Sequence, residues 1–170
     1  NVTVESNRIV EPMGGLRNRS AQLRLPLGNR LAFNKVAVGL GIARAAIDSF
    51  IELATSKTPR FNSRSLRDRP SAQIAVAKAE ARLHGARAAV FEQVAKNWAL
   101  VVADAPLPER DRALVHVLCS DAAQAIAEVV DIVANASGTT ANQVGHPLER
   151  LSRDARVIRQ HATVAPQNME

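Results

Sequence analysis

The stretch "IAVAKAEARLHGARAAVFEQVAKNWALVV", residues 74–102, decides how the chain folds. It contains no proline and a single glycine, so nothing in it breaks a helical hydrogen-bond ladder. Along it Ile74, Ala77, Ala81, His84, Ala88, Phe91, Ala95, Trp98 and Val102 recur at alternating steps of three and four. Strands place every second residue on a face, whereas this spacing puts all nine positions on one stripe of an α-helix. At 1.5 Å per residue such a helix runs for roughly 45 Å.

Working outward, the same spacing returns on both sides. Upstream, "TSKTPRFNSRSLRDRP" (55–70) is a loop rich in turn formers and arginine, with Pro70 where a first helical position belongs. Before it, Phe33, Val36, Leu40, Ala43, Ile47, Phe50 and Ala54 mark a helix over about residues 29–56. Downstream, "ADAPLPER" (103–110) ends the long helix, and a third begins near Pro108 with Val115, Leu118, Ala122, Ala125, Val129, Ile132 and Ala136 inward. Gly138 is placed to stop it, and a shorter fourth helix starts near Pro147 with Leu148, Leu151, Ala155 and Ile158 inward. Helices with such seams, short connections and small seam residues predict an all-α fold, an antiparallel four-helix bundle. The expected core includes Phe33, Ile74, Phe91, Trp98, Leu118 and Ile132.

The opening segment "NVTVESNRIVEPMGGLRNRS" (1–20) differs. Val2 and Val4 alternate with polar residues, Ile9 and Val10 follow, and Gly14-Gly15 breaks the run. It reads as a strand remnant and linker, which divides the chain into residues 1–28, the end of a β domain, and 29–170, the bundle. The chain starts at Asn1 without methionine, and a preceding portion is expected.

Composition limits what such a bundle does. The 170 residues hold 3% aromatics and no tyrosine, which favours helices packed through small side chains. Arg44 interrupts the most apolar run, so no membrane span is expected, and the lone Cys119 fits a buried thiol in a reducing, cytoplasmic setting. The formal net charge of +6 raises the question of nucleic acid. Its arginines cluster at Arg17, Arg19, Arg24 and Arg30, at Arg60, Arg64, Arg67 and Arg69, and at Arg150, Arg153, Arg156 and Arg159. Apart from the single Phe61, none of these clusters is interleaved with aromatics for base stacking, and no zinc-ligand spacing or recognition-helix layout accompanies them. Solvated faces and interhelical ion pairs account for most, leaving a few for an anionic cofactor or a subunit contact.

The histidines separate by position. His84 lies on the apolar stripe, His116 has no acidic or histidine partner at i+4, and His146 precedes a helix start, so no metal site is expected. Ser137, Gly138, Thr139 and Thr140 follow a long helix, as a cap and turn or as a loop whose backbone and hydroxyls meet a cofactor. His161 ends an arginine-studded helix. Paired carboxylates, a nucleophile elbow and a dinucleotide glycine fingerprint are all missing, which leaves hydrolase and Rossmann readings without support.

The stretch "ASGTTANQVGHPLERLSRDARVIRQHAT" (136–163) resembles the C-terminal region of the acyl-CoA dehydrogenase superfamily, through Gly138, Pro147 and the Arg153-Asp154 pair. "NRLAFNKVAVGLGIARAAIDSF" (29–50) is similar to its first bundle helix, with Arg30 and Gly39 at family-like spacing. The resemblance covers nearly the whole chain but only the last part of a typical member. It implies a flavin. Dehydrogenases of this superfamily place a carboxylate base at one of two positions, which are occupied here by Ala162 and Asn29, neither able to act as the base. "ASGTT" is closer to the hydroxyl-bearing loop of the two-component flavin-dependent monooxygenases, which carry a histidine where His161 stands. The resemblance therefore implies that His161 faces the flavin as the catalytic residue. It further implies that Ser137, Gly138, Thr139, Thr140, Arg60 and Arg64 contact the cofactor. Reduced FMN or FAD would come from a separate flavin reductase, the substrate would be a small aromatic molecule, and the assembly a homotetramer. The alternatives are a flavoprotein oxidising an acyl-CoA with its base elsewhere, and an oligomerisation fragment with no activity alone.

Overall fold

The computed structural model describes residues 2–9, 20–61 and 63–169. A short turn of helix, α1 (Ala21–Arg24), precedes four bundle helices: α2 (Leu27–Ser56), α3 (Pro70–Val102), α4 (Glu109–Ser137) and α5 (Pro147–Arg159). Proline sets each start, capping α2 and α4 as Pro26 and Pro108 and opening α3 and α5 as Pro70 and Pro147. Its fixed φ suits a first turn, and its missing N–H leaves no donor unpaired there.

Cross-helix contacts fix the directions. Asn29 meets Arg112 and His116, Gly39 lies against Ile126, and Lys57 reaches Ser137, so α2 and α4 run parallel. On α3, Glu80 pairs with Arg44, Arg82 with Glu128 and Lys96 with Asp111, so this helix runs opposite to both. Ile158 approaches Gly39 while His146 and Pro147 lie near Ser49 and Ser56, so α5 is antiparallel as well. The result is an up-down-up-down bundle in which α3 and α5 each pack on both α2 and α4. The α2–α4 seam is closed by small residues. A Cβ on Gly39 would stand 2.6 Å from Cδ1 of the fully buried Ile126, so any larger residue there would force the Ile126 side chain to shift.

The expected periods appear on α2, α4 and α5, but α3 is rotated. Its buried face is Ala72, Ala75, Ala79, Leu83, Ala86, Val90, Gln93, Asn97 and Val101. This stripe lies one or two residues before the predicted one at each position, which at 3.6 residues per turn is roughly 100–200° around the axis. Ile74, Phe91, Trp98 and Val102, expected inside, are 53%, 49%, 45% and 57% exposed. Phe33, Leu118 and Ile132 are half-buried. Two features explain the misreading. Close packing against α4 selects alanine on the inner face, and that face also carries Gln93 and Asn97, which meet inside through a 2.8 Å bond from Gln93 Nε2 to Asn97 Oδ1 while Asn97 Nδ2 is left without a hydrogen-bond partner among the described residues. Beside them Lys96 donates to the buried Asp111 at 2.7 Å, and this hydrogen bond holds the Asp111 carboxyl below the usual carboxylate range.

Among the described residues no strand forms. Val2 and Val4 lead into a single 3₁₀ turn at Ser6–Arg8, without a neighbouring strand to pair with. Val10, the Gly14-Gly15 break, Arg17 and Arg19 lie outside the described residues. Among those described, no helix is long and apolar enough to cross a membrane. Cys119 is buried, and that burial pushes its thiol up to about 12, as expected for an inert packing residue.

Candidate functional site

The turn after α4 is built from its last residues outward. The buried Ser137 hydroxyl donates to the Val133 carbonyl at 2.7 Å, bending back into its own helix. Gly138 then takes φ 65°, ψ −150°, a region open in practice only to glycine, and starts the 3₁₀ segment Gly138–Asn142. Gly138 and Thr139 are exposed along a groove of about 410 Å³ that Asn142, Ser152, Arg153 and Arg156 also line. Its cations face carboxylates: Arg153 donates to both oxygens of Glu149 at 2.7 and 3.2 Å, and Arg156 stands 3.6 Å from Asp131. The Glu149 hydrogen bond raises the Arg153 guanidinium above its usual range. The groove is thus polar and close to balanced in charge.

The arginine loop adjoins this turn through a residue that sequence reading missed. Lys57 follows α2 and is half-buried, and its Nζ donates to the Ser137 carbonyl at 2.8 Å and to Thr140 Oγ1 at 2.7 Å. Its own carbonyl accepts from Leu66 N–H at 2.8 Å, closing the loop that carries Arg60 and Arg64. Both arginines are exposed, and the Arg60 guanidinium lies 4.9 Å from the centre of the Phe61 ring. Phe61 is 95% exposed at φ 63°, a left-handed conformation uncommon for a bulky residue. A lysine behind a helix end carries no sequence mark that would connect it to residues 137 and 140.

His161 stands elsewhere. It lies just past α5, with its backbone N–H donating to Ile158 O at 3.0 Å. The ring does not cap the helix. Nδ1 accepts from Thr163 N–H at 3.3 Å and lies 3.0 Å from Thr163 Oγ1. That backbone donor makes Nδ1 the acceptor, so in the neutral ring the proton sits on Nε2. The side chain is exposed. The 13 residues of α5 separate it from the Gly138 turn by roughly 20 Å. The structure therefore brings Ser137, Gly138, Thr140 and the base of the arginine loop together, and leaves His161 at the far end of α5.

Two of the remaining histidines, His146 and His116, have structural partners. His146 Nδ1 accepts from Leu148 N–H at 3.2 Å and caps α5. Asn29 is buried; its Nδ2 donates to the Arg112 carbonyl at 3.0 Å and lies 3.2 Å from His116 Nε2, so the Asn29 amide is committed to α4. His84 is exposed on α3, beside a groove of about 390 Å³ with Arg44, Glu80 and Phe91.

Comparison with known proteins converges on one family. Residues 34–166 match the family described as acyl-CoA dehydrogenase, C-terminal domain. The chain is 41% identical over 125 residues to indole-3-acetate monooxygenase of Pseudomonas putida, covering 74% of this chain and 32% of that protein. It is 28% identical over 152 residues to the flavin-dependent monooxygenase oxygenase subunit HsaA of Rhodococcus jostii, covering 89% of this chain and 40% of that one. The crystal structure of 3-HSA hydroxylase from Rhodococcus sp. RHA1 superposes with a TM-score of 0.80 at 27% identity, over 90% of this chain and 38% of that chain. The chain thus spans well under half the length of these relatives. With the bundle, its helix order and this match over most of its length, the chain belongs to the acyl-CoA dehydrogenase C-terminal domain family.

Proposed function

We propose that this chain is the flavin-contacting and subunit-joining bundle of a monooxygenase that hydroxylates a small aromatic compound, with reduced FMN or FAD delivered by a separate reductase. The observation that carries this reading is the exchange of bases at the reactive positions. One dehydrogenase base position holds Ala162, and the other holds Asn29, whose amide is already bound to Arg112 and His116. Beside the first of these stands His161, an exposed imidazole with one nitrogen held by Thr163. The 41% identity to a named monooxygenase supports the same class.

The residues present fit a flavin. Gly138 exposes backbone that a side chain would cover, Thr139 offers a hydroxyl on an open groove, and the exposed Arg60 and Arg64 suit a phosphate through their planar forks. A reduced flavin, when bound, supplies the electrons that activate O2. The chain's own part is to hold the cofactor at the turn and the arginine loop and to offer a proton from His161 Nε2, with Thr163 fixing the ring. Residues 1–28 close a preceding β domain and 29–170 form the bundle. The exposed stripe of Ile74, Phe91, Trp98 and Val102 on α3 is the face that other copies cover in a tetramer, and the protein works in the cytoplasm.

The test is the half-reaction, run on the longest form of the protein that the gene encodes. Reduced flavin from a reductase should react with O2 and convert an aromatic acid such as indole-3-acetate to a hydroxylated product, while acyl-CoA thioesters leave the oxidised flavin unbleached. Bleaching by an acyl-CoA would assign the dehydrogenase class instead.

A further inference from the structure

We infer that Lys57 is a positioning residue that sets the spacing between the two halves of the cofactor cradle. The inference rests on the flavin reading above. Four bonds meet at this one residue: its N–H donates to Leu53 O at 2.8 Å and ends α2, its carbonyl receives Leu66 N–H at 2.8 Å, and its Nζ donates to both Ser137 O and Thr140 Oγ1. The backbone of Lys57 thus closes the arginine loop while its side chain holds the glycine turn. Lys57 thereby ties the arginine loop to the turn, and the reach of its stem bears on how far apart the two stand.

The chemistry suits lysine. Ser137 O is one of the last carbonyls of α4, which have no partner within the helix, and a cation is favoured at that negative end. Thr140 sits on the second half of the turn, so holding both atoms pins Gly138 and Thr139 between them. A Cβ on Gly138 would lie no closer than 4.0 Å to Nζ, so glycine is needed there for its φ of 65° and not for space. Lys57 therefore leaves Gly138 and Thr139 facing outward while immobilising the residues on either side. Its charged side chain thus reaches from the base of the arginine loop to this turn.

The test is a double-mutant cycle on flavin binding. Oxidised FAD, with FMN in a parallel titration, is titrated into the longest form of the protein carrying Lys57→Met, Thr140→Val, both, or neither. Lys57→Met should weaken binding by about tenfold, the scale of a lost hydrogen bond to a charged group, and Thr140→Val by about threefold. The double variant should be no weaker than Lys57→Met alone, because both changes cut one tether. Amide exchange should quicken at Thr139–Asn142 and stay unchanged in the middle of α4. Multiplicative losses would mean that Thr140 touches the cofactor independently, and would overturn the coupling. A Lys57→Met protein that is less heat-stable but binds flavin normally would show a purely structural lysine. If Lys57→Met does not fold, unchanged binding by Thr140→Val alone overturns the inference. Thr139→Ala and Arg60→Ala separate the two levels: if they weaken binding and Lys57→Met does not, the inference fails and the flavin reading stands; if none of the three matters, the flavin reading falls with it.

Discussion

The two ends of α5 are built to opposite specifications. At its start, the turn from Ser137 to Thr140 is tied by the Ser137 hydroxyl and by Lys57, and His146 caps the helix itself, in a molecule whose core includes the fully buried Phe50 and Leu148. At its finish, His161 is exposed and held by one neighbour, Thr163. A cofactor cradle gains from rigidity, because every bond fixed before binding lowers the entropic cost of the complex. A proton-handling group needs a fixed ring with a free outer nitrogen, and Thr163 supplies that with little burial. On the proposed reading, the difference makes binding and reactivity separable along this helix.

Substitutions that strike one end alone put the separation to the test. The largest expected effect is on the buried end: Phe50→Ala, two turns before Lys57, should lower unfolding free energy by about 3–5 kcal/mol through lost burial and a cavity, read by denaturant titration. Next comes the reactive end. His161→Ala should cut product formation by about 10²-fold, with hydrogen peroxide released in its place and flavin affinity changed by no more than about twofold. His161→Asn should fall between the two, since its amide keeps a hydrogen bond but exchanges no proton. Loss of flavin affinity in step with activity would erase the distinction between the ends. At the cradle, Thr139→Ala and Arg60→Ala should each weaken flavin binding by about tenfold or less, with stability unchanged, as for loss of single hydrogen bonds or charge-assisted contacts. The smallest effect belongs to the outer stripe. Phe91→Ala should cost the isolated chain less than about 1 kcal/mol, because its ring is half-exposed over Arg87, while weakening self-association measured by sedimentation.

That last value marks where the sequence was legible and where it was not. Proline positions and apolar periods locate the bundle helices, since Pro70, Pro108 and Pro147 each stand at a helix start and Gly138 ends α4. The rotation of α3 was hidden, because periodicity finds a stripe without saying which of two stripes faces in. Phe91 and Trp98 outweigh Ala79 and Ala86 in hydrophobicity, yet it is the small Ala79 and Ala86 that face the core. Of the candidate site, the Ser137–Thr140 turn and His161 were visible as local patterns. Lys57 was not, because its partners lie 80 and 83 positions away. Nor was the role of Asn29, which only the fold sets beside His116.

The most direct measurement is the fate of labelled oxygen. The longest form of the protein, loaded with reduced flavin, is exposed to 18O2 and indole-3-acetate in a single turnover, and the product is weighed by mass spectrometry. A monooxygenase places one 18O atom in the product, and the yield collapses into labelled hydrogen peroxide in His161→Ala. Product oxygen drawn from water, or unlabelled substrate recovered while an acyl-CoA reduces the same flavin, would contradict the assignment.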